Sequence, residues 1–373
     1  MRFALLLSIL LFAWCGAQAQ QATTLIAVPA PPAAHDGAHD FDSVLGNFTF
    51  RLRRMQHPLT SNPDWMDMAG TGACYKVWGG RAQLDTVELD SADGSHIEGL
   101  TLRLYDREAR QWRLYWANSR IGRLDPPQIG EFRDGHGDFY TTDTINGKAT
   151  LIRFDWSRMN SGRPHFEQAF SPDGGKSWEV NWITDQTRTG DAKWGQPQPG
   201  RPSTQPAGAD APAQSPARGS QHDFDFDFGT WKMEIRRLVH PLSGSSEWTE
   251  MKGTTVNNKV WNGRANLATV EADGPSGHLE LLALRLYDPR AQQWNISFAT
   301  SDSAVLSVPA VGGFNDGRGE FYDSELFHGR NILVRFTIWP VSATEVHSEQ
   351  AYSADGGNTW ETNWINTYTR VSD

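Results

Sequence analysis

Cysteine is nearly missing from this chain. Of two cysteines in 373 residues, Cys15 falls in an apolar N-terminal stretch and only Cys74 lies beyond it. A single thiol makes no internal bridge, so no disulfide framework and no paired CxxC redox or zinc centre is expected. Positive charge is also short: 34 Lys and Arg face 44 Asp and Glu, for a formal net charge of −10. With its arginines scattered, such a chain has no electrostatic case for nucleic acid or an anionic membrane surface. Long helix-forming runs of Ala, Leu, Glu and Lys are absent, as is any later apolar run long enough to span a membrane as a helix. There is no nucleophile elbow, Walker-type loop or dinucleotide fingerprint. No cofactor and no tight metal site is expected, because closely spaced His and Cys are lacking.

What the chain does hold is glycine (35) and tryptophan (16), a balance that favours β structure with tight turns. Its N-terminus reads as a secretory leader over residues 1–19. Arg2 supplies the positive end, Phe3 to Trp14 the apolar core, and Ala17-Gln18-Ala19 an A-x-A cleavage site. A lipoprotein anchor at Cys15 is the weaker reading, because Phe12 and Trp14 stand where such signals want Leu and a small residue. A soluble periplasmic or secreted protein is therefore expected. Residues 20–38 read as a Pro- and Ala-rich tether, and residues 189–221, dense in Pro, Gly, Ala, Ser and Gln, as an extended linker.

The rest is one domain written twice. Ser171-Pro-Asp-Gly-Gly-Lys-Ser-Trp178 returns as Ser353-Ala-Asp-Gly-Gly-Asn-Thr-Trp360. His39-Asp-Phe-Asp42 returns as His222-Asp-Phe-Asp225, His57-Pro-Leu59 as His240-Pro-Leu242, and Leu102-Arg-Leu-Tyr-Asp106 as Leu284-Arg-Leu-Tyr-Asp288. Phe132 to Tyr140 matches Phe314 to Tyr322. Domains are thus expected over residues 39–188 and 222–373. Cys74 has Asn257 as its counterpart, so the thiol is no part of the shared design.

Within each copy the pattern is one of short strands. Leu100, Leu102 and Leu104 alternate with Thr101, Arg103 and Tyr105, and Trp112, Leu114 and Trp116 with Arg113 and Tyr115. Asp93-Gly94, Asp134-Gly135, Asn146-Gly147 and Asp173-Gly174-Gly175 punctuate these runs with turns that need positive φ. About ten strands per copy, at a spacing of roughly 8–12 residues, suit an antiparallel meander closed into a barrel. The fold class expected is all-β, with two tandem antiparallel barrels. The opening His-Asp-Phe-Asp, the "DGRGEFY" hairpin and the closing "DGGNTWETNW" resemble an uncharacterised family of bacterial secreted proteins grouped with the calycin-like barrels, the class of lipocalins, fatty-acid-binding proteins and nitrobindin-type proteins. That resemblance implies calycin-like barrels and no settled activity. The Ser-x-Asp-x-Gly-x-Ser/Thr-Trp stretch also matches the Asp-box of sialidase-type propellers. Propellers repeat it blade after blade, roughly every 40–50 residues, whereas here it occurs once per domain and reads as a structural hairpin.

Three sets of residues are candidates for chemistry. His96-Ile-Glu98 and His165-Phe-Glu167, with counterparts His278-Leu-Glu280 and His347-Ser-Glu349, each put an imidazole and a carboxylate on one strand face. If two such strands faced each other across a barrel, they would form an acid–base or metal-ligating cluster. At a rim or on a solvent face the same pairs stabilise only modestly. Arg103, with Tyr105 beside it, and Arg153, with counterparts Arg285 and Arg335, either hold buried carboxylates (Asp106, Glu88 and Glu167 being available) or anchor a ligand's carboxylate. Trp116, Asn118 and Arg120 share a face that becomes Phe298, Thr300 and Asp302 in the second copy. The leading expectation is binding of a small apolar or aromatic ligand, with a polar or carboxylate end, in one or both barrels. The rivals are a lyase, isomerase or hydrolase using the His-x-Glu pairs, and a non-catalytic interaction module. Composition sets no oligomeric state.

Overall fold

A computed structural model describes residues 36–60, 63–194 and 219–372. The expected leader, most of the tether and most of the linker lie outside the described residues. Ten strands make the first barrel: β1 (Gly46–Met55), β2 (Trp65–Val77), β3 (Ala82–Ser91), β4 (His96–Asp106), β5 (Gln111–Asn118), β6 (Gln128–Arg133), β7 (His136–Ile145), β8 (Lys148–Ser157), β9 (His165–Ser171) and β10 (Glu179–Gly190). Ten more make the second: β11 (Gly229–Leu238), β12 (Trp248–Val260), β13 (Ala265–Gly274), β14 (Gly277–Asp288), β15 (Gln293–Thr300), β16 (Ala310–Asn315), β17 (Arg318–Phe327), β18 (Arg330–Ser342), β19 (Glu345–Ser353) and β20 (Glu361–Ser372). Each set is an antiparallel meander closed by its first and last strands, β1 on β10 and β11 on β20. Closure leaves no unpaired edge.

Each barrel is shut at one end and hollow toward the other. The His-Asp-Phe-Asp segment forms the shut end. Phe41 packs edge-on against Trp112, Phe132 and Trp156, and Trp112 Nε1 donates to the Gly37 carbonyl at 2.8 Å. In the second barrel Phe224 packs on Trp294, Phe314 and Phe321, and Trp294 Nε1 donates to the Ser220 carbonyl. The β1–β2, β3–β4, β7–β8 and β9–β10 connections gather at the other end, the mouth. The Asp-box hairpin is one of them. Asp173 accepts from Ser177 Oγ at 2.6 Å, from the Ser177 and Lys176 amides at 3.0 Å and from Ser171 Oγ at 2.7 Å, which holds its carboxyl far below the usual range. Asp355 does the same in the second copy. A turn so well satisfied has a structural job.

The two barrels share a core. Leu100, Leu102 and Leu104 point outward from β4 and are buried against Leu282, Leu284 and Leu286 of β14, in a cluster that also holds Trp78 and Trp261. Reciprocal ion pairs flank it. Arg81 Nη2 reaches Glu280 Oε2 at 2.6 Å, and its counterpart Arg264 Nη2 reaches Glu98 Oε2 at 2.5 Å. Matched residues exchanging matched contacts make this a pseudo-two-fold interface of the kind seen in symmetric dimers. Arg81 lies in the turn at the shut end of barrel one, whereas Glu280 lies toward the mouth of barrel two, so the mouths open in opposite directions. Gly122 packs on the second barrel so closely that a Cβ there would stand 1.8 Å from the Tyr287 carbonyl oxygen, and its φ of +64° lies in the left-handed region that favours glycine. The neighbouring Arg123 pairs with Asp288 at 2.6 Å.

Candidate functional site

Inward-facing residues of the first barrel enclose a cavity of about 280 Å³. It runs from Asp85, Thr101 and Gln186 in the middle of the barrel to Arg54, Asp125 and Asp143 at the mouth. Leu52, Val87, Leu114, Phe154, Phe166 and Phe170 make most of its wall, with Trp116, Trp156 and Trp182 as large flat surfaces. Trp116 can lie in the cavity because Gly99 is beneath it: a Cβ on Gly99 would meet the Trp116 ring at 2.0 Å. The second copy has Leu281 and Phe298 at these two places, trading ring volume for aliphatic volume.

Two residues of this lining each carry a buried polar atom without a hydrogen-bond partner. Gln128, 3% exposed, uses its amide nitrogen on the Pro126 carbonyl and leaves Oε1 unbonded. Trp156, 5% exposed, leaves its Nε1–H unbonded. A buried acceptor and a buried donor, each left unmade, cost free energy unless something in the cavity meets them.

Charge is divided across the mouth. Arg54 continues the inward alternation of Phe50 and Leu52 and lies over Trp182, 5.8 Å from the ring centroid. It makes no ion pair among the described residues. Loss of water around it, and then the nearby Arg120, lower its pKa. Across the barrel stand Asp125 and Asp143. Asp125 has an edge in solvent but a crowded carboxyl; it is pushed up to about 6, first by desolvation and then by Asp143. These three mouth residues escape sequence reasoning. The signal for Arg54 was present, in the inward period of β1 and the matched Arg53-Arg54 and Arg236-Arg237.

The structure separates the sequence candidates. Arg103 and Tyr105 do face the barrel interior, but neither is free. Arg103, 1% exposed, bonds Asp85 Oδ2 at 2.9 Å and lies over Phe41 and Trp156. Arg285 is held in the same way by Asp227. The buried Arg–carboxylate pairing is therefore present, with partners other than Asp106, Glu88 and Glu167. The partner has also moved between copies: Asp85 corresponds to Ala268, and Asp227 to Val44. One carboxylate per buried guanidinium is what the physics requires, and its place in the chain is free to change. Tyr105 accepts from the Gly37 amide at 3.1 Å and so fixes the plug. Arg153 and Arg335 correct the expectation: both lie on the outer wall, stacked on Trp178 and Trp360 of the Asp-box hairpins. Trp116 lines the cavity; Asn118 ends β5; Arg120, on the loop beyond, donates to the His96 carbonyl.

The His-x-Glu pairs also face outward and do not meet. His96 bonds Asp90 at 2.7 Å, while Glu98 is taken by Arg264 and Ser119 in the interface. His278 bonds Asp273, and Glu280 pairs with Arg81. His165 bonds both Glu167 at 3.0 Å and Asp185 at 2.9 Å on a different outer face, whereas His347 bonds Glu345 at 2.7 Å and leaves Glu349 aside. Alternation puts i and i+2 on one side, but here that side is the outside of the barrel.

The second barrel is fuller. Its interior cavity is about 140 Å³. Buried Tyr368 stands where the first barrel has Gln186, and its hydroxyl lies 3.0 Å from Ser348 Oγ.

No family model matches the chain, and no curated protein matches it by sequence. Among solved structures, the S-type phycobiliprotein lyase of Guillardia theta is 11% identical and aligns over 40% of this chain and 91% of its own, with a TM-score of 0.30. A protein named EF1p2_mFAP2b, solved bound to DFHBI, is 11% identical over 40% of this chain and 98% of its own, with a TM-score of 0.23. A DUF3598-family protein of unknown function from Nostoc punctiforme is 12% identical and covers 91% of this chain and 100% of its own, with a TM-score of 0.23.

Proposed function

We propose that the first barrel binds one small, mostly apolar or aromatic molecule, with an anionic end held at the mouth by Arg54. The observation that carries this is the cavity itself: an apolar, tryptophan-walled space of about 280 Å³ whose lining includes Trp156 and Gln128, each with a buried polar atom left unpartnered. Ligand sites combine an apolar lining with a few oriented polar groups, and their usual volume starts at about 300 Å³. The ligand is accordingly compact rather than a long chain. Arg103 does not supply its anion contact, because Asp85 already neutralises it. Arg54, a cavity-lining guanidinium, makes no ion pair among the described residues. The His-x-Glu pairs serve no reaction in this cavity, since they lie on the other side of the wall. Export through the leader over residues 1–19 belongs to the proposal and would deliver the barrels to the periplasm or beyond.

The test compares 1-naphthoate with the neutral 1-naphthamide by quenching of tryptophan fluorescence. The carboxylate is expected to bind more tightly, and Arg54→Gln to weaken it about tenfold while leaving the amide unchanged, in line with the loss of about 1–3 kcal/mol typical of a charge-assisted hydrogen bond. Equal affinity for both probes in the native chain would remove Arg54 from the reading. No saturable binding of either would remove the reading itself.

A further inference from the structure

The mouth of the second barrel is built differently from that of the first. In the first barrel the β7–β8 hairpin is tied to the β1–β2 hairpin, because Asn146 Nδ2 donates to the Pro58 carbonyl at 3.1 Å. In the second barrel His328 replaces Asn146, at a left-handed φ of +48° that asparagine tolerates better than most residues. No such bond joins the hairpins there among the described residues. Between them lies a cleft of about 810 Å³. It meets the interior cavity at Glu325, Gln350 and Trp364, which line both spaces.

The groups around this cleft are unusual for an acidic protein. Arg237 lies over Trp364, 4.3 Å from the ring centroid. Arg330, His240 and His328 stand at the rim. None of these four side chains makes an ion pair among the described residues. Two of the acids nearby are discounted by burial, which pushes Glu325 up and pushes Asp323 behind it up to about 7, by desolvation first and by Glu325 second; a third, Glu361, is held by the Leu242 amide at 2.6 Å. Phe327, Tyr352 and Ile332 complete an apolar floor. In a chain of net charge −10, two arginines without ion pairs gathered over an aromatic floor form a local exception.

We propose that this cleft is a second binding site, separate from the cavity of the first barrel, and that it takes a planar organic anion. The flat body would lie along Trp364 and Tyr352, and the anionic group would meet Arg237 and Arg330. Arg237, stacked on Trp364, presents its planar donors already oriented, which suits a carboxylate, sulfonate or phosphate group better than a mobile ammonium would.

The probe is 8-anilinonaphthalene-1-sulfonate, an aromatic sulfonate that fluoresces when bound. The full chain carries Gln186→Tyr throughout, to occupy the first cavity. One site is expected to remain. Its affinity should fall when salt is raised and fall at least about tenfold in Arg237→Gln/Arg330→Gln, as expected for lost charge-assisted contacts. Arg237→Lys, which keeps the charge but loses the fork, should retain part of the binding. The neutral N-phenyl-1-naphthylamine should bind this site much more weakly. Far-ultraviolet circular dichroism confirms folding of each variant, including the Gln186→Tyr parent, whose altered residue is buried in the first barrel; Arg237 and Arg330 lie at the exposed rim of the second. Unchanged affinity in the double variant, no dependence on salt, or no binding of the sulfonate at all would overturn the proposal.

Discussion

Gln186→Tyr is expected to lower the affinity of the first barrel for N-phenyl-1-naphthylamine by about 100-fold or more, roughly 3 kcal/mol, with the protein still folded. Gln186 is buried and lines the cavity midway along β10. At the matching position the second barrel carries Tyr368, buried, around a cavity of about 140 Å³ rather than about 280 Å³. The duplication has therefore already tried the larger side chain in this fold. A tyrosine ring at 186 would point into empty space rather than into packed neighbours, which is why overpacking should cost little. Fluorescence titration of the probe checks the affinity, and thermal unfolding checks the fold. The paired control is Tyr368→Gln, which should enlarge the second cavity. Undiminished binding in Gln186→Tyr would place the probe elsewhere.

Arg103→Met is expected to destabilise the protein by about 3–5 kcal/mol, because it leaves the Asp85 carboxylate buried beside a thiol and without a cation. Burial pushes the Asp85 carboxyl up, and Arg103 is what opposes that push. The pH dependence follows from this sign. In the variant Asp85 titrates higher in the folded chain than in the unfolded one, so the carboxyl is tolerated protonated below about pH 4, and stability is lost as pH rises through the raised folded value. The deficit should thus be larger at pH 8 than at pH 4. Asp85→Ala added to Arg103→Met should recover most of the loss, since it removes the orphaned charge; Ala268 already fills that position in the second barrel. Urea unfolding of the single and double variants at the two pH values checks all three statements. If Arg103→Met cost less than about 1 kcal/mol at pH 8, the surface range for ion pairs, the pair would not be the buried one described.

Much of this architecture can be read from the residues. The duplication is visible in matched motifs, the strands in period-two alternation, and the turns in Asn-Gly and Asp-Gly pairs, because each rests on local chemistry. Which strand face is the inside cannot be read in the same way. Along β4, Leu100, Leu102 and Leu104 have every mark of a core face, and they are buried, but against the other barrel. Arg103 and Tyr105, the more polar set, face the interior. Docking two barrels gives β4 two buried faces, so apolarity stops distinguishing in from out. The same ambiguity leaves His96 and Glu98 open between the interior and an outer face, and their face carries the interface. The carboxylates holding Arg103 and Arg285 were hidden for another reason. Asp85 and Asp227 are not counterparts, so comparing the copies passes over both. Arg54 is legible in principle, since it continues the inward series of Phe50 and Leu52, but with Arg53, a second and solvent-facing arginine, beside it the apolar–polar alternation breaks there.

That the first barrel is a ligand site is tested most directly by mass spectrometry under non-denaturing conditions on the full chain purified from the cells that make it. Native protein is predicted to carry one small apolar or aromatic molecule per chain, released on unfolding, displaced by N-phenyl-1-naphthylamine and absent from Gln186→Tyr. A native chain that carries nothing and takes up no probe, or the same bound mass at the same occupancy on the native chain and Gln186→Tyr, would contradict it.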